Sequence, residues 1–224
     1  MDPDQANDKP LLRKPSVFDQ GKIELPVASA EQAEHSQSER KKIAYLHEET
    51  LSSDLRFIGR VFTVESTEVQ LPDGRKSKRE IVHHPGGACV LAIDDNRDIY
   101  LVRQYRVGAQ APLREIPAGK LEADESPLLC ARRELMEEVG LIADSWQLLT
   151  QFYPSPGYTD ELIYVYLATK LSKGKQQLDE GEFLTVEKLP LQTALEEVKS
   201  GQISDGKTII AILMTAYLQA KGEL

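Results

Sequence analysis

The pattern of apolar and polar positions changes near residue 45. Residues 1–38 are rich in Asp, Gln, Ser, Lys and Pro, and their apolar residues follow no sustained period. This composition is typical of a poorly ordered arm, although the Glu, Gln, Ala, Arg and Lys residues of 30–49 would also permit a short helix. From residue 46 onwards, apolar residues recur with the periods of strands and helices. We therefore predict an N-terminal arm over 1–45 and one folded domain over 46–224.

Alternation of apolar and polar residues predicts that the domain is built mainly of strands. Residues 57–69 alternate and are rich in Val, Phe and Thr, and the turn signal Leu-Pro-Asp-Gly at 71–74 leads to a returning strand over 77–83. These two strands are predicted to form an N-terminal hairpin. Further strands are predicted at 88–93, 98–105, 113–116, 146–152, 161–168 and 183–186.

Three helices are predicted among these strands. Ser126 provides a hydroxyl N-cap, Pro127 fits the first helical position and Gly140 ends the pattern, so the first helix spans 127–139. The other two are predicted over 191–200, ended by Gly201, and over about 204–221. Many strands with few, unevenly spaced helices indicate an α/β sandwich and not a doubly wound sheet.

Composition narrows the classes of function. The 224 residues are 41% hydrophobic and 28% charged, which suits a domain with a sizeable core. A formal net charge of −9 disfavours nucleic-acid binding through a basic face, but a bound cation could still admit a small phosphate ligand. We find neither a run of 18 apolar residues nor a signal peptide, and Cys89 and Cys130 lie among apolar neighbours as reduced thiols do. A cytoplasmic protein without a membrane segment is expected.

The first helix carries the candidate chemistry. Its residues Glu134, Glu137 and Glu138 stand at i, i+3 and i+4 and share one face, where Arg133 offsets part of their repulsion through Glu137. Such a cluster of hard oxygen ligands suits Mg²⁺ or Mn²⁺. The alternative is a solvated acidic face.

The residues around this helix resemble the Nudix box, the signature of pyrophosphohydrolases that cleave nucleoside diphosphates linked to another moiety. The box runs from Gly119 through Glu125 and the Arg-Glu-Leu and Glu-Glu pairs of the helix to Gly140 and Leu141. The resemblance covers roughly residues 46–218. It implies the Nudix-type α/β/α sandwich of mixed sheets with a loop–helix–loop motif, here preceded by the predicted strand hairpin.

The resemblance also implies roles for these residues. Glu134 and Glu138 would ligate the metal, Glu137 would be a ligand or a close neighbour, and the backbone carbonyl of Ala118 would complete the set. Arg133 and Glu125 would form the pair that fixes the helix against its loop. The implied cofactor is Mg²⁺, with Mn²⁺ as a substitute.

Residues outside the box resemble the ADP-ribose pyrophosphatase subgroup. Pro156 follows Gly140 by sixteen residues, the spacing of that subgroup, and lies in a loop that continues to Glu161. The resemblance implies that Arg79 and Glu80 reach adenine and ribose, partly across the interface of a homodimer, and that Arg106 contacts the substrate near its phosphates. Each also has a plainer interpretation: a rigid Pro/Gly loop, or an arginine on a strand surface.

A second acidic segment, Asp-Glu-Gly-Glu at 179–182, is implied to supply the general base. The local pattern makes Glu180 the first choice and Glu182 the second, and the alternative is a solvated loop. His83 and His84 are interpreted as residues at the end of a strand and not as metal ligands.

Together these features predict a Mg²⁺-dependent homodimeric hydrolase that splits ADP-ribose into AMP and ribose 5-phosphate, and that binds neither nucleic acid nor membrane. Two alternatives remain open. One is a hydrolase of GDP-mannose or another nucleotide sugar, and the other is a Nudix domain that binds a nucleotide as a sensor without cleaving it.

Overall fold

An antiparallel three-stranded sheet opens the part of the chain described by the computed structural model, which covers residues 45–224. Its strands are β1 (Glu49–Ile58), β2 (Thr63–Gln70) and β3 (Lys76–His83), in that spatial order. The hairpin predicted for 57–83 is wrong in one respect, because residues 57–69 are not one strand. The chain reverses between β1 and β2, where the Gly59 N–H donates to the Phe62 carbonyl at 2.9 Å. Apolar residues continue through this turn, which hid it from the alternation pattern.

The predictions for the first 45 residues concern almost only residues outside the described part of the chain. Both the poorly ordered arm and most of the short helix over 30–49 lie there. Glu49, the last residue of that helix prediction, begins β1 instead. The strand ladder with β2 accounts for this, since it pairs Glu49 with Gln70.

The remaining strands form one mixed sheet of seven. Strands β10, β5, β4, β9 and β8 are neighbours in that order, while β6 pairs with β5 and β7 pairs with β4. The β4–β9 pair is parallel, and the other pairs are antiparallel. The strands are β4 (Gly87–Ile93), β5 (Asp98–Arg106), β6 (Ala111–Glu115), β7 (Ala118–Lys120), β8 (Leu141–Phe152), β9 (Ile163–Lys173) and β10 (Leu184–Pro190).

Helices cover both faces of this sheet, which confirms the predicted α/β/α sandwich. Helix α1 (Pro127–Glu134) continues as a π-helical turn over Leu135–Val139, and α2 (Leu191–Ser200) and α3 (Gly206–Lys221) follow later. Strand β4 is buried throughout and shows the arrangement by its alternation. Its even-numbered side chains pack in one cluster with those of α1, and its odd-numbered side chains pack with those of α2 and α3.

The ends of α1 agree with the sequence. Ser126 is the N-cap and its hydroxyl accepts the Leu129 N–H, Pro127 is the first helical residue, and Gly140 adopts a left-handed φ of 72° at the C-terminal end. The π-helical turn was not predicted. It matters for the site because it holds Glu137 and Glu138.

Several strands extend further than their composition predicts. Strand β8 begins at Leu141 and β10 continues to Pro190, because both are paired along their whole length with β9 and β5. The short strand β7 has no sequence signal of its own and exists through its pairing with β4.

Both cysteines are buried and free, and burial raises the pKa of each thiol to about 12. Across residues 45–224, no helix has the length and apolar character needed to cross a membrane.

Candidate active site

The site is built around the closest approach of β7 to α1. Gly119 lies on β7 directly against the carboxylate of Glu134, and a Cβ on Gly119 would lie 1.7 Å from Glu134 Oε1. Only glycine leaves this space. Glu134 is 9% exposed, and its carboxylate lies in a cradle formed by the backbone of β7, which gives a physical reason for the glycine at the start of the box.

Arg133 organises the carboxylates beside this cradle. Its guanidinium donates to Glu125 through Nε at 2.9 Å and Nη2 at 3.0 Å, and through Nη1 to Glu134 at 2.6 Å and to Glu137 at 3.1 Å. The contact with Glu137 is the predicted i,i+4 pair. The fork to Glu125 ties the helix to the preceding loop, in the geometry expected of an orienting pair.

Glu138 is the most deeply buried carboxylate of the group, with 2% of its surface exposed. Its Oε2 accepts the Ala118 N–H at 3.0 Å. Burial, reinforced by the charge of Glu134, raises the pKa of the Glu138 carboxyl to about 8. Burial also raises the pKa of Glu134, although Arg133 opposes that shift. Two neighbouring carboxylates that are costly to ionise need a compensating positive charge.

This donor set fits a hard divalent cation. Mg²⁺ prefers oxygen ligands of the kind offered by the buried Glu134 and Glu138 and the half-buried Glu137. A bound cation would stabilise the ionised form of the two carboxyls whose pKa is raised, Glu134 and Glu138. In the arrangement of residues 45–224, no three Asp, Glu, His or Cys side chains already converge on a metal position. Glu134 is turned to Arg133 and Glu138 to Ala118.

The acidic loop between β9 and β10 brings Glu182, and not Glu180, towards these carboxylates. The negative charge of Glu182 contributes to the raised pKa of both Glu134 and Glu138. The Glu182 carboxylate also accepts the Gln104 amide at 3.4 Å. Glu180 is exposed. Sequence reasoning ranked Glu180 first, whereas Glu182 is the residue directed towards the helix.

Arg106 approaches the site from β5 and is held from behind by a buried carboxylate. Glu115, 2% exposed, accepts Arg106 Nε at 2.7 Å and Nη2 at 2.9 Å, and it also receives a short bond from Lys207, which contacts Asp205 at 3.0 Å. Burial opposes ionisation of Glu115, but Arg106 and Lys207 outweigh it and lower its pKa. Arg106 Nη1 has no partner among residues 45–224, so two N–H groups remain for a ligand.

The other predicted substrate residues lie on β3 and on the loop that follows β8. Arg79 and Glu80 are on β3, where Arg79 Nη1 donates to Ser77 Oγ at 2.8 Å. The loop carrying Pro156 is attached to the end of β3, since the Val82 N–H donates to the Tyr158 carbonyl at 2.7 Å.

Two histidines strengthen this attachment. His83 contacts Glu65 at 2.6 Å and Asp160 at 2.8 Å, so it joins β2, β3 and the loop. His84 contacts Glu161 at 3.4 Å. His83 is the last residue of β3 and His84 follows it, so both lie at the end of a strand as predicted.

Sequence reasoning missed the residues that support the site from behind. The support of Arg106 by Glu115 and Lys207 joins positions 92 residues apart, which no local pattern shows. A carboxylate inside the short strand β6 was the one available signal, because an acidic residue in a buried strand requires a cationic partner.

Comparison with known proteins agrees with this geometry. The family model of the NUDIX domain matches residues 82–209. An ADP-ribose pyrophosphatase of Bacillus subtilis (strain 168) is 44% identical over 80% of this chain and 96% of its own length. A methanol dehydrogenase activator of Bacillus methanolicus is 43% identical over 79% of this chain and 95% of its own length. A GDP-mannose pyrophosphatase of Enterobacter sp. (strain 638) is 32% identical over 66% and 80%.

Among solved structures, an ADP compounds hydrolase superposes with a TM-score of 0.70 over 79% of this chain and 97% of that one. At 23% identity this likeness concerns the fold alone. The family model and the relatives above 40% identity, which align over most of their own length, carry the assignment further: the chain is a member of the Nudix family.

Proposed function

We propose that this chain is a Mg²⁺-dependent hydrolase that splits ADP-ribose into AMP and ribose 5-phosphate. The observation that carries the proposal is the cluster of two buried carboxylates with Glu182 facing them, held within a complete Nudix box. The substrate rests on the 44% identity to an ADP-ribose pyrophosphatase, against 32% to a GDP-mannose pyrophosphatase. A place in the cytoplasm stays a prediction from sequence.

Glu134, Glu137 and Glu138, with the carbonyl of Ala118, are the residues that would hold the metal. When bound, Mg²⁺ neutralises charge on the phosphate oxygens. Arg133 and Glu125 fix the helix that presents these carboxylates through two guanidinium bonds of 2.9 and 3.0 Å. We expect Glu134→Gln and Glu138→Gln each to remove most activity while leaving the fold intact.

The reaction itself needs a proton acceptor. A water oxygen bonds to one phosphorus, the bond from that phosphorus to the bridging oxygen breaks, and the water gives up a proton. We assign the acceptor role to Glu182, since its charge is felt by both buried carboxylates, while Glu180 is exposed. Gln104 orients the Glu182 carboxylate through its amide.

Arg106 would bind the phosphates. The two bonds to Glu115 fix the plane of the guanidinium and leave Nη1 directed away from the buried pair, which suits a phosphate oxygen. Arg79, Glu80, Pro156 and Glu161 would line the nucleoside side of the site.

A homodimer is part of the proposal. Strand β1 is exposed along its whole length, and Leu55, Phe57 and Ile58 present apolar side chains to solvent. An exposed edge strand with apolar side chains is normally covered by a partner. In that dimer Arg79 and Glu80, which lie on β3 two strands away from β1, would contribute to the partner's site, as the resemblance implies.

The experiment is a parallel product assay with ADP-ribose, GDP-mannose, diadenosine polyphosphates and NADH at saturating Mg²⁺. We expect the highest kcat/KM with ADP-ribose, and AMP as a product. A kcat/KM for GDP-mannose about tenfold higher than the value for ADP-ribose would mean that GDP-mannose is the substrate. Tight binding of ADP-ribose without product would favour the sensor alternative.

A further inference from the structure

The segment that leads into the acidic loop is attached directly to the end of the Nudix helix. Three hydrogen bonds make this attachment: Gly174 N–H to the Gly140 carbonyl at 2.8 Å, Gln177 N–H to the Glu137 carbonyl at 3.0 Å, and Gln176 Nε2 to the Glu138 carbonyl at 2.6 Å. We call residues 174–177 the anchor segment. Its acceptors include the backbone of two residues whose side chains we assign to the metal.

These bonds supply hydrogen-bond donors to backbone carbonyls that have no donor within the helix. The last carbonyls of any helix lack partners within it. Here the final turn is π-helical and ends at Gly140, whose left-handed φ of 72° turns the chain away. A Cβ on Gly140 would lie 2.9 Å from the backbone nitrogen of Gln176, so the glycine also permits the close approach of the anchor segment.

Gln176 is the one side chain in this attachment. A carbonyl oxygen can only accept, so the amide nitrogen of Gln176 must face Glu138. Six residues later along the chain stands Glu182, and the intervening loop contains Gly181 with φ of 85°. A loop of this kind holds its carboxylate in one place only if its ends are fixed.

We propose that Gln176 is a positioning residue, which locks the loop of Glu182 to the turn that carries Glu137 and Glu138. Proton acceptor and metal ligands then share one rigid frame, although they come from segments about 40 residues apart. This inference rests on the proposed function of Glu182. It assigns no contact between Gln176 and the substrate.

The test replaces the amide by an apolar side chain of similar length, Gln176→Met, and uses Gln177→Met as the matched control. The Gln177 side chain has no hydrogen-bond partner among residues 45–224, and its backbone N–H survives the substitution. We expect kcat with ADP-ribose to fall about threefold to tenfold in Gln176→Met, the range for losing one hydrogen bond, with an unchanged Mg²⁺ dependence. In the same variant, without substrate or metal, amide hydrogen exchange over 174–182 should become faster. Gln177→Met should match the wild type in both measurements.

A double variant separates positioning from general support of the fold. If Gln176 acts through Glu182, adding Gln176→Met to Glu182→Gln should cost little further activity. The inference is overturned if Gln176→Met matches Gln177→Met, if exchange becomes faster while kcat is unchanged, or if the loss in kcat is equally large without Glu182. A wild-type protein that hydrolyses none of the four substrates would overturn the proposed function and the catalytic part of this inference together. The exchange comparison would still decide whether Gln176 anchors the segment.

Discussion

Single residues in this site are selected as much for the room they leave as for the groups they carry. Gly119 contributes no side chain, yet its missing Cβ is what allows the Glu134 carboxylate to lie against β7. Gly140 does the same for the anchor segment, and there it also adopts a left-handed φ. The Nudix box thus encodes two close approaches of backbone in addition to its charged groups.

Gly119→Ala tests the first of these approaches. The new methyl group would occupy the position of Glu134 Oε1, and the flexible glutamate would swing aside while the backbone stays in place. We expect kcat to fall by about 10²-fold, the scale for displacing a catalytic group by an ångström, with little change in melting temperature. Gly206→Ala, where a Cβ meets nothing within 4 Å, is the control. Full activity in Gly119→Ala would show that Glu134 tolerates displacement.

At the scale of elements, the helix was predictable because its information is local. Ser126, Pro127 and Gly140 mark its ends and three glutamates mark its face, all within fifteen residues. The turn between β1 and β2 was missed because apolar alternation runs through it. The preference for Glu182 over Glu180 depends on how the loop folds back onto α1, through contacts with residues about 40 positions earlier, and no spacing rule contains that information.

The two loop glutamates make a matched pair for an experiment. Glu182→Gln keeps the shape of the side chain but removes the proposed proton acceptor, so we expect kcat to fall about 10²–10⁴-fold with unchanged affinity for Mg²⁺. Glu180→Gln, at an exposed position of the same loop, should stay within about twofold of the wild type. Measurement of kcat at saturating Mg²⁺ compares them. A larger loss of kcat in Glu180→Gln would mean that Glu180, the first choice from sequence, is the proton acceptor.

The loop carrying Pro156 should be tied to β3 more firmly at low pH. Burial favours neutral His83, but bonds to Asp160 and Glu65 outweigh it and raise the pKa of His83 above its ordinary 6.5. A raised pKa means that this contribution to stability is complete below pH 6.5 and is lost as the pH rises through the value in the folded protein. Denaturation of wild type and His83→Gln should therefore show a larger difference in unfolding free energy at pH 6 than at pH 9. Equal differences at the two pH values would mean that the charge of His83 does not contribute to the stability of the folded protein.

At the scale of the whole molecule, the exposed face of β1 is unusual for a monomer. Strand β1 pairs on one side with β2, and its exposed apolar side chains include Ile58 with 72% of its surface accessible. The sequence predicted a homodimer through its resemblance to the subgroup. It could not show that a whole extra strand would be presented, because the turn at Gly59 was hidden.

Charged substitutions on β1 should therefore separate the proposed dimer. We expect light scattering to show a dimer for the wild type and a monomer for Leu55→Asp combined with Ile58→Asp, with reduced kcat/KM for ADP-ribose. Thr193→Asp, on the exposed face of α2, controls for added charge. A wild-type monomer that is fully active at assay concentration would contradict the prediction.

The crowding of carboxylates in the site has a consequence for how its ligands bind. Glu134, Glu137 and Glu138 lie beside only two positive groups, Arg133 and Arg106, whose charges are already shared with Glu125 and Glu115, and a pKa of about 8 makes Glu138 costly to ionise without a cation. A dianionic diphosphate alone is repelled from such a place, and a cation alone gains only part of the charge balance. Each ligand therefore raises the affinity for the other by the same factor, since coupling between two binding equilibria is reciprocal. The concentration of Mg²⁺ would then set the apparent affinity for the nucleotide as well as the rate of its hydrolysis.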